Sequence, residues 1–286
     1  NRIVEIYNCL IAAEPVPPTP FGRFQQLIKD DQEYRSSSRF NRDREYWVSS
    51  FSDMPEPASL AGRSAPAKNI LFHRKNIDSA TDKALREKAK SLGYTLPQLL
   101  TALSCIYLYR MTNNDDLVIG MPVTARAGRE QRTIPGLLSN IMPLRLDLSP
   151  ALSLNDVLAL TSKEMRSVLR HQQYRNDDLQ RDLNLAHPLY HTTVNIELFG
   201  EDLKVNGCRT TPTNLCSGPA QDLNIFFFGY GDEHTLVLGF DANAALYSEE
   251  QLLNHHNRMV SLFNELLAHP DCPVGLPSLQ QPGETQ

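Results

Sequence analysis

The residues of this 286-residue chain that could move protons or hold metals are its histidine pairs. His255 and His256 are adjacent in Leu252-Leu-Asn-His-His-Asn-Arg-Met-Val260. Two neighbouring imidazoles could supply a general base and its orienting partner, provided that a loop presents both to one target. Leu252, Met259, Phe263 and Leu266, however, recur at helical spacing around them. Adjacent side chains on a helix point about 100° apart, so the two rings cannot converge, and the pair reads as structural. His187 and His191 have the i, i+4 spacing of a helical metal pair, but Pro188 breaks the shared face and no third ligand of suitable kind accompanies them. No metal site is therefore expected.

Cys9, Cys105, Cys208, Cys216 and Cys272 are widely scattered and contain no Cys-x-x-Cys pair, which argues against zinc or redox chemistry. They read as reduced thiols of a cytoplasmic protein, with Cys105 a small buried hydrophobe. Gly-x-Ser-x-Gly is absent, and no glycine-rich phosphate loop follows a strand, so serine hydrolysis and ATP chemistry are disfavoured. Arg126 and Arg129 directly follow a predicted strand. They are either solvated loop charges or a fork for fixing a carboxylate. Asn140 and Asn195 fall where strands should be; asparagine is poor there, so each has a hydrogen-bonding reason.

These candidates depend on elements with regular patterns. Ile3, Ile6, Tyr7 and Leu10 predict a first helix, stopped by Glu14-Pro-Val-Pro-Pro-Thr-Pro20. Residues 22–51 read as two short amphipathic helices, and the proline-rich 54–66 as a linker. Asp78 to Leu92 reads as a charged surface helix closed by Gly93. Thr95 caps a helix to about Met111, with Leu99, Leu100, Leu103, Ile106 and Tyr107 on one broad stripe. Ser153 and Asp156 open a helix to about Arg170, and Ser248-Glu-Glu-Gln251 is a capping box for one to about Ala268. Leu117–Met121, Leu144–Leu148, Val194–Phe199, Leu223–Phe228 and Leu236–Phe240 read as strands, the last two joined by a hairpin loop through Gly229 and His234. Strands alternating with helices predict an α/β lobe built on a mixed sheet.

Net charge of −5 and a pI near 5.9 leave no basic footprint for nucleic acid. No apolar run approaches the roughly 18 residues that span a bilayer. A chain starting at Asn1 without a basic-then-apolar leader reads as a fragment rather than a signal-bearing N-terminus.

Five short patterns occur in a fixed order. They are Tyr34…Phe40-Asn-Arg-Asp43…Tyr46-Trp47; Gly120 to Arg126; Gly136…Asn140…Pro143-Leu-Arg145; His171-Gln-Gln-Tyr174; and Arg181-Asp182…Pro188-Leu189 followed by Val194-Asn-Ile-Glu-Leu-Phe199. Together they resemble the later core motifs of condensation domains of nonribosomal peptide synthetases, in detail those of siderophore synthetases of the enterobactin-synthase kind. Ala125 replaces the family's usual Gly, and Arg175-Asn176 its Pro-Phe. The family's catalytic loop, His-His-x-x-x-Asp-Gly, is absent from these residues; Val260 and Ser261 stand where Asp and Gly would follow His255-His256.

The resemblance implies a chloramphenicol acetyltransferase-like α/β fold, a mixed sheet flanked by helices, in which two lobes enclose a tunnel. Residues 1–66 would be the end of the N-terminal lobe and the interlobe linker, 67–269 the C-terminal lobe, and 270–286 a linker towards a following, adenylation domain. It implies an acyltransferase joining a carrier-bound acyl or peptidyl thioester to an aminoacyl acceptor. Its partners would be peptidyl or aryl carrier proteins and the rest of the same domain. No cofactor would be bound directly; the phosphopantetheine arms of the carriers would enter the tunnel. No catalytic residue would lie in this chain, which alone would be inactive. Arg126 matches the arginine that pairs with the loop aspartate and holds the histidine loop in shape, and Asn195 and Asn140 are tunnel candidates. A noncatalytic carrier-docking scaffold and an epimerising relative of the same fold are the alternatives.

Overall fold

The computed structural model describes residues 2–199, 204–208, 218, 220–230 and 236–280. Three helices come first: α1 (Arg2–Ile11), α2 (Phe24–Arg35) and α3 (Ser38–Ser50). They are followed by β1 (Ile70–Asn76), α4 (Ser79–Ser91), α5 (Leu96–Thr112), β2 (Asp116–Val123), β3 (Asn140–Asp147), α6 (Leu154–Arg170), α7 (Asn176–Asp182), β4 (Thr192–Phe199), β5 (Leu223–Tyr230), β6 (Val237–Asn243) and α8 (Glu249–Ala268). The strands form one mixed sheet in the order β1-β6-β5-β4-β2-β3. β4 pairs parallel with both β2 and β5, and the remaining neighbours are antiparallel. The predicted α/β lobe with a mixed sheet is the observed architecture.

Local chemistry starts the helices where the sequence places them. Thr95 with Gln98, Ser153 with Asp156 and Ser248 with Gln251 each form a reciprocal capping box. In each, the side chain satisfies amide donors that the first helical turn cannot pair. Asp78 caps α4, and Gly93 follows that helix with φ +75°, in the left-handed region that a side chain disfavours.

α5 departs from the expected single stripe. Every residue from Leu99 to Tyr109 is buried, because the helix packs against β2 and β4 and is flanked by α4, α6 and α8. A helix apolar all round is an interior element rather than a half-solvated one. α8 covers β1 and β6, with Phe263 stacked on Phe227 at 6.2 Å between ring centroids.

Two elements have no counterpart in the sequence reading. β1 is an edge strand whose Phe72, Arg74, Lys75 and Asn76 are exposed, so the stretch lacks a clean apolar alternation. α7 is short and rich in aspartate. Residues 54–66 are irregular, yet Ala58 is buried and Ala65 O accepts from Asn243 Nδ2 at 2.9 Å. Of the predicted β5–β6 connection, residues 231–235 lie outside the described residues. So does Cys216. Among the described residues, no helix is long and apolar enough to cross a membrane.

Candidate functional site at the junction of α3, α6 and β2

The patterned residues meet where the C-terminus of α6 lies against α3. His171 ends α6, and its Nδ1 lies 2.7 Å from Oδ1 of Asp43 on α3. Tyr34 on α2 donates its hydroxyl to the other carboxylate oxygen at 2.8 Å. The Asp43 side chain is only 4% exposed and that of His171 20%, so this carboxylate is buried and doubly bonded. Burial and the bond to Asp43 push the Tyr34 phenol well above its ordinary value, keeping it a donor. The imidazole is stacked under Tyr46, with ring centroids 4.0 Å apart, and Trp47 Nε1 donates to His171 O at 3.0 Å. An aspartate that orients an imidazole through Nδ1 is the arrangement of a catalytic triad. Among the described residues, however, no hydroxyl or thiol donates a hydrogen bond to Nε2 of His171, so the pair does fastening work.

The following residues extend the junction. Tyr174 donates its hydroxyl to Asp182 of α7, and Arg44 of α3 grips the same carboxylate through Nε at 2.8 Å and Nη2 at 3.2 Å. Burial, then the bond to Asp182, holds the Tyr174 phenol well above its ordinary value. Arg35 and Arg181 both reach Asp178. Asn140, the first residue of β3, donates to Tyr174 O at 2.8 Å and accepts from Asn176 N at 3.3 Å. That is the hydrogen-bonding reason for an asparagine at a strand start. Arg145 on β3 holds Asp116 (2.6 and 2.7 Å) and Asp53 (2.6 and 2.8 Å), tying two strands to the end of α3.

Beyond β2 the chain turns sharply at Ala125, whose φ is +51°. The Ala125 N–H donates to Gln172 Oε1 at 3.0 Å. Arg126 then folds back into its own loop, donating to the carbonyls of Gln131, Ile134 (3.0 Å) and Gly136 (2.7 Å). Gln131 accepts from Ala127 N at 2.9 Å through Oε1 and donates to Asp30 of α2 at 2.8 Å through Nε2. Arg126 is half-buried and has no carboxylate within ion-pair distance among the described residues, whereas Arg129 is exposed.

The other candidates lie apart. Asn195 sits on β4 and donates to Glu197 at 2.8 Å, joining none of these contacts. His255 accepts or donates at 2.6 Å with the Tyr107 hydroxyl, and His256 packs edge-on to His73 at 5.2 Å, so both belong to the core. Burial first, then nearby cations, lowers each to about 4, which keeps them neutral. His187 and His191 lie in the irregular stretch before β4. Among the described residues no three His, Cys, Asp or Glu are grouped to hold a metal ion. A groove of about 640 Å³ beside α3, lined by Tyr46, Trp47, Arg145 and Glu164, contains none of Arg126, Asn140 or Asn195.

Comparison with known proteins decides what this junction belongs to. The family model described as "Condensation domain" matches residues 1–286. The chain belongs to the condensation-domain family. It is 32% identical over 290 residues to a dimodular nonribosomal peptide synthase of Bacillus subtilis, covering 100% of this chain and 12% of that protein. It is 31% identical over 294 residues to enterobactin synthase component F of Escherichia coli O157:H7, covering 99% of this chain and 22% of that protein. The chain therefore spans less than a quarter of the length of these relatives. Its fold superposes with a TM-score of 0.91 on the first condensation domain of the calcium-dependent antibiotic synthetase, at 31% identity over 98% of this chain and 62% of that one. The starter condensation domain of rhizomide synthetase RzmA gives 0.89 at 34% identity, over 96% and 63%.

Condensation-domain membership gives the junction a meaning. The resemblance rests on the patterns that are bonded together here, from Asp43 and Trp47 through Arg126, Asn140 and Arg145 to His171, Tyr174 and Asp182. Sequence reasoning named Arg126, Asn140 and Asn195 but missed Asp43, His171 and Gln172 as working partners. Their signal was available in the His-Gln-x-Tyr pattern, although its contacts were not.

Proposed function

We propose that the chain is the C-terminal portion of a condensation domain that forms amide bonds between two carrier-bound substrates. The reading rests on the match of the condensation-domain model along the whole chain. The acceptor amine attacks the donor thioester carbonyl; the C–N bond forms, the C–S bond breaks, and the amine proton passes to the departing thiolate. A free α-amine has a pKa near 8, so its neutral form is already populated at neutral pH. Holding both thioester arms in near-attack geometry then supplies much of the acceleration. The donor and acceptor are carried on phosphopantetheine arms of peptidyl or aryl carrier proteins, and an adenylation domain follows residues 270–286. The enzyme works in the cytoplasm.

His-His-x-x-x-Asp-Gly does not occur in these 286 residues, so in this reading the imidazole comes from another part of the polypeptide and the chain alone does not turn over. Residues 1–66 then close the N-terminal lobe and link it to the C-terminal lobe, 67–269. Arg126 orients the histidine loop by pairing with its aspartate, exchanging a loop carbonyl for a carboxylate. Asn140 and Asn195 face the substrate tunnel. The test is an amide-formation assay on the synthetase bearing this domain, with loaded carriers, comparing wild type and Arg126→Ala. A fall in turnover of 100-fold or more is expected. Unchanged turnover removes Arg126 from the site, and no amide product from the wild type leaves the carrier-docking scaffold.

A further inference from the structure

We propose that Gln172 is a positioning residue that sets the direction of Arg126 by holding the Ala125 peptide in a left-handed turn. The inference deepens the proposed function and rests on Arg126 acting in the site.

Three observations carry it. First, Ala125 is buried and has φ +51°. That region costs an alanine roughly 1–2 kcal/mol relative to ordinary backbone, so the turn needs a restraint from outside. Second, the Ala125 N–H finds its acceptor in Gln172 Oε1 at 3.0 Å, 47 residues distant. Third, the amide of Gln172 is itself fixed, because its Nε2 donates to Leu169 O in the last turn of α6 at 2.8 Å. The amide is thus a bridge between a helix terminus and a strained peptide, with both ends occupied.

The residue beyond that peptide is Arg126. With the backbone turned at Ala125, its guanidinium reaches the carbonyls of Gln131, Ile134 and Gly136. Gln172 is also the neighbour of His171, which Asp43 and Tyr46 lock against α3. The His-Gln pair therefore has a division of labour: histidine fastens α6 to α3, and glutamine uses that fixed point to aim the arginine. A glycine at 125 would take the same φ without help, so the demand on Gln172 is created by the alanine.

A mutant cycle in the amide-formation assay with loaded carriers tests this on the synthetase bearing the domain. Gln172→Ala should lower turnover about 10-fold, with less than a twofold change in the KM for either loaded carrier and a thermal midpoint lowered by only a few degrees. Ala125→Gly alone should stay within twofold of wild type, and adding it to Gln172→Ala should recover most of the loss. In an Arg126→Ala background, Gln172→Ala should have no further effect. An undiminished effect of Gln172→Ala in that background, or no rescue by Ala125→Gly, overturns the proposal, as does a Gln172→Ala enzyme with full turnover. Should Arg126→Ala itself prove harmless, the arginine's role fails instead, a result distinct from a harmless Gln172→Ala beside a damaging Arg126→Ala.

Discussion

In the helix-covered core, His255 is buried against Tyr107 and Tyr247 and His256 against His73 and Phe240, while at the α3–α6 junction His171 is one-fifth exposed and bonded to a buried carboxylate. The core pair is held by shape: one imidazole meets a tyrosine hydroxyl, and Nδ1 of His256 has no hydrogen-bond partner among the described residues. The junction is held by directional bonds among Tyr34, Asp43, His171, Trp47 and, through Tyr174, Asp182 and Arg44. Packing fixes which elements touch; a bonded network also fixes their angle, because each partner must meet lone pairs in particular directions. The sheet needs only the first. A turn that aims one guanidinium needs the second.

The comparison can be broken at several strengths. Truncations of large buried rings should not distinguish the regions: Trp47→Ala at the junction and Phe263→Ala in the core should each cost about 3–5 kcal/mol in urea unfolding, since both are almost wholly buried. Polar changes should. Asp43→Ala leaves the Tyr34 hydroxyl and His171 Nδ1 without their acceptor and should cost about 3 kcal/mol. His256→Leu removes a nitrogen that has no partner and should stay within about 1 kcal/mol of wild type. A cost equal to that of Asp43→Ala would show that His256 is bonded after all.

Acid should find the core histidines before the helix-capping carboxylates. The lowered values of His255 and His256, about 4 against an ordinary 6.5, mean that between these limits the unfolded chain binds more protons than the folded one. Stability therefore falls as pH drops from about 6.5 towards 4, by at most about 1.4 kcal/mol per pH unit for each histidine, and this loss stops below 4. Carboxylates held low, Asp78 by Thr81 and Asp156 by Ser153, lose their contributions only as pH falls below their ordinary 3.8. Urea midpoints between pH 7 and 4.5 should slope in wild type and flatten in a His255→Gln/His256→Leu variant. The smallest change should be a gain: Ala125→Gly relieves the left-handed alanine and should add about 1 kcal/mol.

Legibility followed the range of the interaction. The caps at Thr95, Ser153 and Ser248 were readable because donor and acceptor lie three residues apart, and so were α6 and α8 along their whole lengths. Membership of the family was readable because its patterns are local strings. β1 was not, because an edge strand exposed along much of its length carries no clean period. The bond between Asp43 and His171 joins residues 128 apart, and nothing in either neighbourhood marks the other. The left-handed turn at Ala125 was hidden by the residue itself, since alanine gives no sign of the conformation that a glycine would announce. Arg126 stood out by its place in a motif, but its backbone partners arise from how the loop closes upon itself.

α5 has no wet side, and that constrains how such a protein can be rebuilt. Strands, flanking helices and this spine share one matched set of surfaces, from Leu99 to Tyr109. A chimaera that exchanges part of the sheet while keeping the spine would set foreign knobs against native holes. Crossover points belong instead in irregular segments outside that wrapping, and the wrapped elements must travel together as an indivisible cassette.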